Sequence, residues 1–455
     1  MGTWKSETKA QLKLAAPVVV IQVGLMLMGI VDTIFMGFLS PTQFAGVGLG
    51  DAMSFAVIAF GMGTIVGFDA IFSQAVGAED EDAFGVGLRR AFVFSLLISI
   101  PLMVVVYCFP PVLTWLEQPE DVIPIASDYM RVVFFGTPGF MVFVAVRHAL
   151  QAKELLRPIV ATILFANVVN AGLDYCLIFG EFGFPRLEAV GSAWATAFSR
   201  ILIAVTLVCV SWRHLSPYLT DWGGRAFELK PLARMGVLGA PVGLQFILEM
   251  GAFSLAGIWA GMVAREQGSD AVLAGHQVSL KLASMTFMVP LGISIAASVR
   301  CGHAVGRGDQ EGVRRSVKVA LAMGTGMMAL FGLAFMWAPG YFSSLLNKDA
   351  AVLAVAVTLV PIAGIFQIFD GVQVVSNGIL RGLADTFVPS VLQLIGFWGI
   401  GVPASYYLCF ELEMGAPGLW WGLVCGLAAV SVILAGRVVQ QMRQDQERYL
   451  VDDRP

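Results

Sequence analysis

Twelve stretches of this chain are apolar over at least the ~20 residues that a helix needs to cross the hydrocarbon core of a bilayer. They lie approximately at 9–38, 44–73, 84–109, 121–150, 154–179, 189–213, 231–260, 270–299, 311–337, 350–380, 385–410 and 417–441. In lipid every backbone N–H and C=O must be bonded within the protein, so stretches of this length are committed to helix. Charged residues make up 13% of the chain, against ~25% in a soluble domain. The expectation is an all-α polytopic membrane protein with twelve transmembrane helices. No cleavable signal peptide is expected, because the first apolar stretch, from about Leu12 to Leu39, is too long for one and is interrupted by Pro17 and Asp32.

The chain repeats itself. Leu-Ala-Ala-Pro at 14–17 recurs as Leu-Gly-Ala-Pro at 238–241, and Ala-Val-Gly at 75–77 recurs at 304–306. Leu150 and Pro158 have counterparts in Leu380 and Pro389, and Gly-Ser-Ala-Trp at 191–194 in Gly-Leu-Trp-Trp at 418–421. The offset is 224–231 residues throughout. Two six-helix halves follow, 1–215 and 231–455, joined by a cytoplasmic linker at 216–230. An even number of spans per half makes them parallel repeats, an arrangement suited to alternating access. Basic residues set the orientation. With both termini in the cytoplasm, Arg186, Arg265 and Lys348 are outside, Arg131, Arg200 and Lys281 fall within spans, and the remaining 22 of 28 lie on the cytoplasmic side.

Inside these spans stand Asp32, Asp69, Asp174, Glu249 and Asp370. A charge at the bilayer centre costs roughly 2.5–3.5 kcal/mol on insertion scales, so an intramembrane carboxylate points to a binding site, a pair or a polar cavity. In the first half, Asn170 and Asp174 are i, i+4 on the fifth span and share a face, as do Ser192 and Thr196 on the sixth. With Asp32 they supply carboxylate, amide and hydroxyl oxygens, a set suited to Na⁺ or to a carboxylate that exchanges a proton. In the second half, Gln245 and Glu249 are i, i+4, as are Gln277 and Lys281, and Gln367, Asp370, Gln373 and Asn377 form a stripe on the tenth span. A lysine within a span seeks a carboxylate, and Glu249 or Asp370 is the expected partner of Lys281. Asp69 is expected at the membrane interface, and His276 as a satisfied structural histidine. Pro17 lies fifteen residues before Asp32 on one helix. A bend there would carry Asp32 with it, an expectation that unimpaired transport by Pro17→Ala would remove.

Several functional classes are disfavoured. A net charge of −4 without a basic block argues against nucleic-acid binding. The six cysteines are scattered and the four histidines dispersed, with no metal motif or nucleophile–base pair, so no enzyme and no cofactor is expected. No filter-like segment suggests a channel.

Four segments resemble the multidrug and toxic compound extrusion (MATE) transporters: LAAPVVVIQVGLMLMGIVDTIFMG at 14–37, SQAVGAEDED at 73–82, LDYCLIFGEFGFP at 173–185 and GHQVSLKLASMTFMVPLGISIAASVRCGHAVGRGD at 275–309. The resemblance covers nearly the whole chain. It implies two six-helix lobes forming a V, and export of organic cations or amphipathic drugs against inward Na⁺ or H⁺ as coupling ion. The family's first-lobe coupling residues fall on Asp32, Asn170, Asp174 and Thr196, which are also the ligands if the ion is Na⁺. A seventh-span Glu and a tenth-span Asp, found in the NorM-like branch, fall on Glu249 and Asp370, with Gln277 and Lys281 nearby. Lys281 departs from the family pattern, and Cys301 replaces an apolar residue in the Arg-x-Gly segment. The resemblance further implies a monomer in the bacterial inner membrane, in contact with lipid and small-molecule substrates. The alternative within the same superfamily is a lipid-linked precursor flippase; it would want a basic cavity for pyrophosphate, whereas acids outnumber bases in the spans here.

Overall fold

The structure is a computed structural model that describes residues 3–220 and 222–452. Among the described residues, twelve helices are long and apolar enough to cross a membrane. They are α1 (Trp4–Met36), α2 (Pro41–Gly77), α3 (Glu81–Cys108), α4 (Val122–Ala152), α5 (Arg157–Phe179), α6 (Glu188–Val210), α7 (Leu229–Glu266), α8 (Ala271–Gly306), α9 (Gln310–Trp337), α10 (Ala350–Gly382), α11 (Phe387–Glu411) and α12 (Ala416–Met442). All twelve expected spans are present. Several run past the apolar stretch into polar sequence, α7 and α8 most of all, because a helix satisfies its own backbone whatever its side chains. Within 216–230, part of a short helix, Trp212–Leu219, and a 3₁₀ turn, Gly224–Phe227, carry the chain from α6 to α7.

The helices pair in the same way twice. In the first half α2 packs on α3 and α4, α4 on α3 and α6, and α5 on α6; in the second, α8 packs on α9 and α10, α10 on α9 and α12, and α11 on α12. The turns repeat as well. Glu79 (φ 55°) and Gly308 (φ 67°) are both left-handed, and the next residue, Asp80 or Asp309, caps the following helix by accepting from the N–H of Ala83 or Gly312. Glu154 and Ala384 form a second left-handed pair and Phe182 and Glu413 a third, each at the offset of the sequence repeat.

Two compact units emerge, and their seams lie within helices. Val20–Gly243 with the residues from Leu450 form the first; the residues up to Val19 with Leu244–Tyr449 form the second. Each seam falls two residues after the proline of the repeated motif, Pro17 or Pro241. The contacts explain the placement. In the second unit the start of α1 is tied to α8 and α9: Arg300 donates to Glu7 through Nε (3.0 Å) and Nη2 (2.7 Å), Ser316 Oγ donates to Glu7 Oε1 (2.7 Å), and Gln11 Nε2 donates to the Ser316 carbonyl (2.8 Å). In the first unit the start of α7 crosses α2 at glycines. A Cβ on Gly239 would lie 2.1 Å from the Thr64 carbonyl, and one on Gly67 2.6 Å from Gly239 Cα. Small residues let two backbones approach this closely, the usual device for helix contact in lipid.

Candidate functional site

In the first unit the expected residues meet. Helix α5, closed by left-handed Gly180 (φ 78°), holds Asn170 and Asp174 one turn apart on its buried face. Asp32, on the last turns of α1, lies against both. Thr196 of α6 donates to Asp32 Oδ2 at 3.4 Å, and Ser192, a turn earlier on α6, is fully buried. Asp32 Oδ1, both oxygens of Asp174, both polar atoms of Asn170 and Ser192 Oγ find no hydrogen-bond partner of acceptable geometry among the described residues. Unpaired buried oxygens at two adjacent carboxyl groups are costly in an apolar surrounding, and a cation or a proton removes that cost. The donor set, two carboxylates with an amide and hydroxyls, fits either.

Sequence reasoning missed three neighbours. Buried Tyr129 of α4 lies beside Thr196 and donates through its hydroxyl to Asp51 Oδ1 at 3.3 Å. Asp51 is on α2 and exposed, and its charge acts on Asp32. Arg200, one turn after Thr196 on α6, also acts on Asp32, with its guanidinium over the Phe140 ring at 5.6 Å. The i, i+4 spacing of Thr196 and Arg200 was a usable signal; nothing local pointed to Tyr129.

In the second unit Glu249 of α7 and Asp370 of α10 come together, with Gln373 beside Glu249. Gln367 Nε2 donates to Thr286 Oγ1 at 2.5 Å, and Gln245 is taken up by Ser390 Oγ (3.0 Å). The expected pairing of Lys281 does not occur. Lys281 and Gln277 lie on an exposed strip of α8 whose neighbours His276, Ser279 and Ala283 are buried, and Lys281 forms no ion pair with Glu249 or Asp370. The helix period groups Lys281 with Gln277 on the exposed face of α8, apart from the face that buries His276 and Ser279.

Asp69 is 3% exposed, and its Oδ1 is 2.6 Å from His148 Nδ1. Arg147 Nη2 is 3.0 Å from His148 Nε2, and Nη1 donates to Gln22 of α1 at 3.2 Å. Because arginine only donates, Nε2 accepts and the Nδ1 proton faces Asp69. His276, expected to be satisfied, is buried with neither ring nitrogen hydrogen-bonded. Arg131 pairs with Asp128 on its own helix at 3.6 Å.

The family model MatE matches residues 17–176 and 241–407, one match per half, beginning at Pro17 and at Pro241. A Burkholderia pseudomallei protein named "Probable multidrug resistance protein NorM" is 35% identical over 436 residues, covering 93% of this chain and 91% of that one. One of the same name from Rhizobium meliloti is 31% identical over 450 residues, covering 97% and 95%. Among solved structures, the eukaryotic MATE transporter AtDTX14 superposes with a TM-score of 0.88 at 20% identity, covering 98% of this chain and 99% of that one. A MATE structure in a bent conformation superposes at 0.83 and 18%, covering 96% of each chain. At these identities the structures share the fold.

Proposed function

The chain belongs to the MATE family of transporters, and from that premise we propose that it is a secondary active multidrug exporter, coupling outward movement of organic cations or amphipathic drugs to inward Na⁺ or H⁺. The observation that carries this reading is the first unit's buried cluster of Asp32, Asn170, Asp174 and Thr196, with its unpaired carboxylate oxygens. The names of the curated relatives support the drug-export part. Glu249 and Asp370 supply a second acidic pair. Helix bending at Pro17 couples Asp32 to the rest of α1. The protein is a multi-pass membrane protein; the weight of basic residues puts both termini in the cytoplasm of a bacterial inner membrane.

A coupling ion from outside binds the first cluster and neutralises carboxylates that otherwise hold a cationic substrate or favour the loaded state. The state that releases substrate outward becomes the more stable one. The emptied transporter returns, gives up its ion inside and reloads. Coupling of this kind needs only that ion and substrate favour different states. The test is ethidium efflux from proteoliposomes, first under an inward Na⁺ gradient at equal pH, then under a pH gradient without Na⁺. Efflux under at least one gradient is expected, and which one identifies the ion. Efflux under neither overturns the exporter reading.

A further inference from the structure

The second unit closes its acidic pair with aromatic rings. Phe253 stands one turn after Glu249 on α7, and Phe366 one turn before Asp370 on α10, so both lie on the side of the α7–α8 turn. Their rings meet edge to face at 5.8 Å. Phe366 meets Trp420 of α12 at 6.1 Å, and Trp420 meets His276 of α8 at 5.9 Å. His276 lies five residues into its helix, near that same turn. It is 1% exposed.

Polar groups on both sides of this layer lack partners. Neither ring nitrogen of His276 is hydrogen-bonded among the described residues, and Trp420 Nε1 and Gln367 Oε1 are unpaired too. Gln367 follows Phe366 directly and precedes Asp370 by three residues, so it lies on the acidic side of the layer. Burial of so many unpaired donors and acceptors in one wall of a bundle is costly unless something passes among them. The titratable groups flanking the imidazole along its neighbouring helices are Glu249, Arg265 and Glu266 of α7, Asp370 of α10 and Cys425 of α12, with Asp270 and Lys281 on α8 itself. None of them acts on it. An imidazole with both nitrogens free takes a proton on one and releases one from the other, whereas it is a poor ligand for Na⁺.

We propose that His276 is a proton-relay residue, passing protons between the α7–α8 end of the second unit and the Glu249–Asp370 pair across the aromatic layer. In each passage one ring nitrogen gains a proton, the other gives one up toward a carboxylate oxygen of the pair, and the imidazole returns to neutrality by exchanging tautomers. The proposal rests on the reading of Glu249 and Asp370 as an ion-coupling pair and makes that pair a proton site.

The test compares wild type, His276→Gln and His276→Ala in proteoliposomes, with Asp370→Asn and Glu249→Gln alongside. All are first checked for monodispersity and ethidium binding. Efflux of ethidium driven by a pH gradient should fall about 100-fold in both His276 variants, the scale of a lost proton-transfer group. Ethidium exchange at equal pH should persist, and millimolar imidazole should restore His276→Ala but not His276→Gln. Wild-type efflux by His276→Gln across the pH range overturns the proposal. So does slowing with an unchanged pH profile and no imidazole rescue, which marks a packing role. Proton-driven efflux surviving in Asp370→Asn and Glu249→Gln overturns the relay's destination, and none in the wild type overturns it together with proton coupling.

Discussion

Replacing Asp32 by Asn removes one negative charge from the first unit's cluster while keeping its size. Asp32→Asn should therefore fold, bind ethidium and fail at gradient-driven export; full export would remove the first unit from the coupling machinery. Lys281 gives the opposite prediction. A lysine paired to a buried carboxylate would cost ~3–5 kcal/mol to remove, but this one is exposed and pairs with neither acid. Lys281→Met should leave thermal stability in detergent within about 0.5 kcal/mol of wild type. Residue chemistry was legible in the sequence where the helix period could place it. The meeting of Asn170, Asp174 and Thr196 was legible because turn-spaced polar residues in an apolar span share one face. The partner of Lys281 was misjudged because the same period also fixes which way a side chain points, and the apolar flanks gave no sign that its strip of α8 stays exposed. Tyr129 was illegible, since it joins the cluster only through the packing of α4 on α6.

Helices in lipid gain little from the hydrophobic effect between themselves, so contact depends on close backbone approach. The α2–α7 crossing shows this at Gly67 and Gly239. Gly239→Val should cost about 1–3 kcal/mol by overpacking, read as a lower midpoint in a thermal melt, whereas Gly183→Ala, where a Cβ meets nothing, should show only the smaller strain of its left-handed backbone. At the polar end of α4, Lys153 Nζ donates to Glu81 Oε2 at 2.8 Å and to the Tyr218 hydroxyl. Burial works against its charge, but the bonds to Glu81 and Tyr218 outweigh it and raise its pKa. The sign follows: the stabilisation is complete below the usual lysine value of ~10.4 and fades as pH rises through the raised one. Lys153→Met should thus melt lower than wild type at pH 7–8, with the gap closing only as pH climbs past the usual lysine range. The spans were readable from hydropathy to within a few residues at most ends. Their polar extensions were not, because a helix runs on wherever neighbouring helices hold it.

At the scale of the molecule, the repeat in sequence is a repeat in structure, down to the left-handed turns at Glu79 and Gly308 and at Glu154 and Ala384. The duplication could be read from short motifs, whereas the seams at Val19 and Gly243 could not, because hydropathy is blind to which bundle a helix packs against. If the seams govern assembly, co-expressed fragments 1–228 and 229–455 should restore ethidium export when present together. A chain beginning at residue 20 should be unstable in its second unit, having lost Glu7 and Gln11. Stable, active protein without those residues would show that α1 contributes nothing to that unit.

The crossed ownership of α1 has a consequence for biogenesis. A nascent chain emerges in order, and its opening nineteen residues belong with Arg300 and Ser316, made some three hundred residues later. The first unit waits even longer, because buried Arg90 is neutralised in part by Asp452, 2.7 Å away and made more than three hundred residues after it. Neither bundle is complete until its distant segment has been made, so the insertion machinery must shelter two incomplete bundles at once.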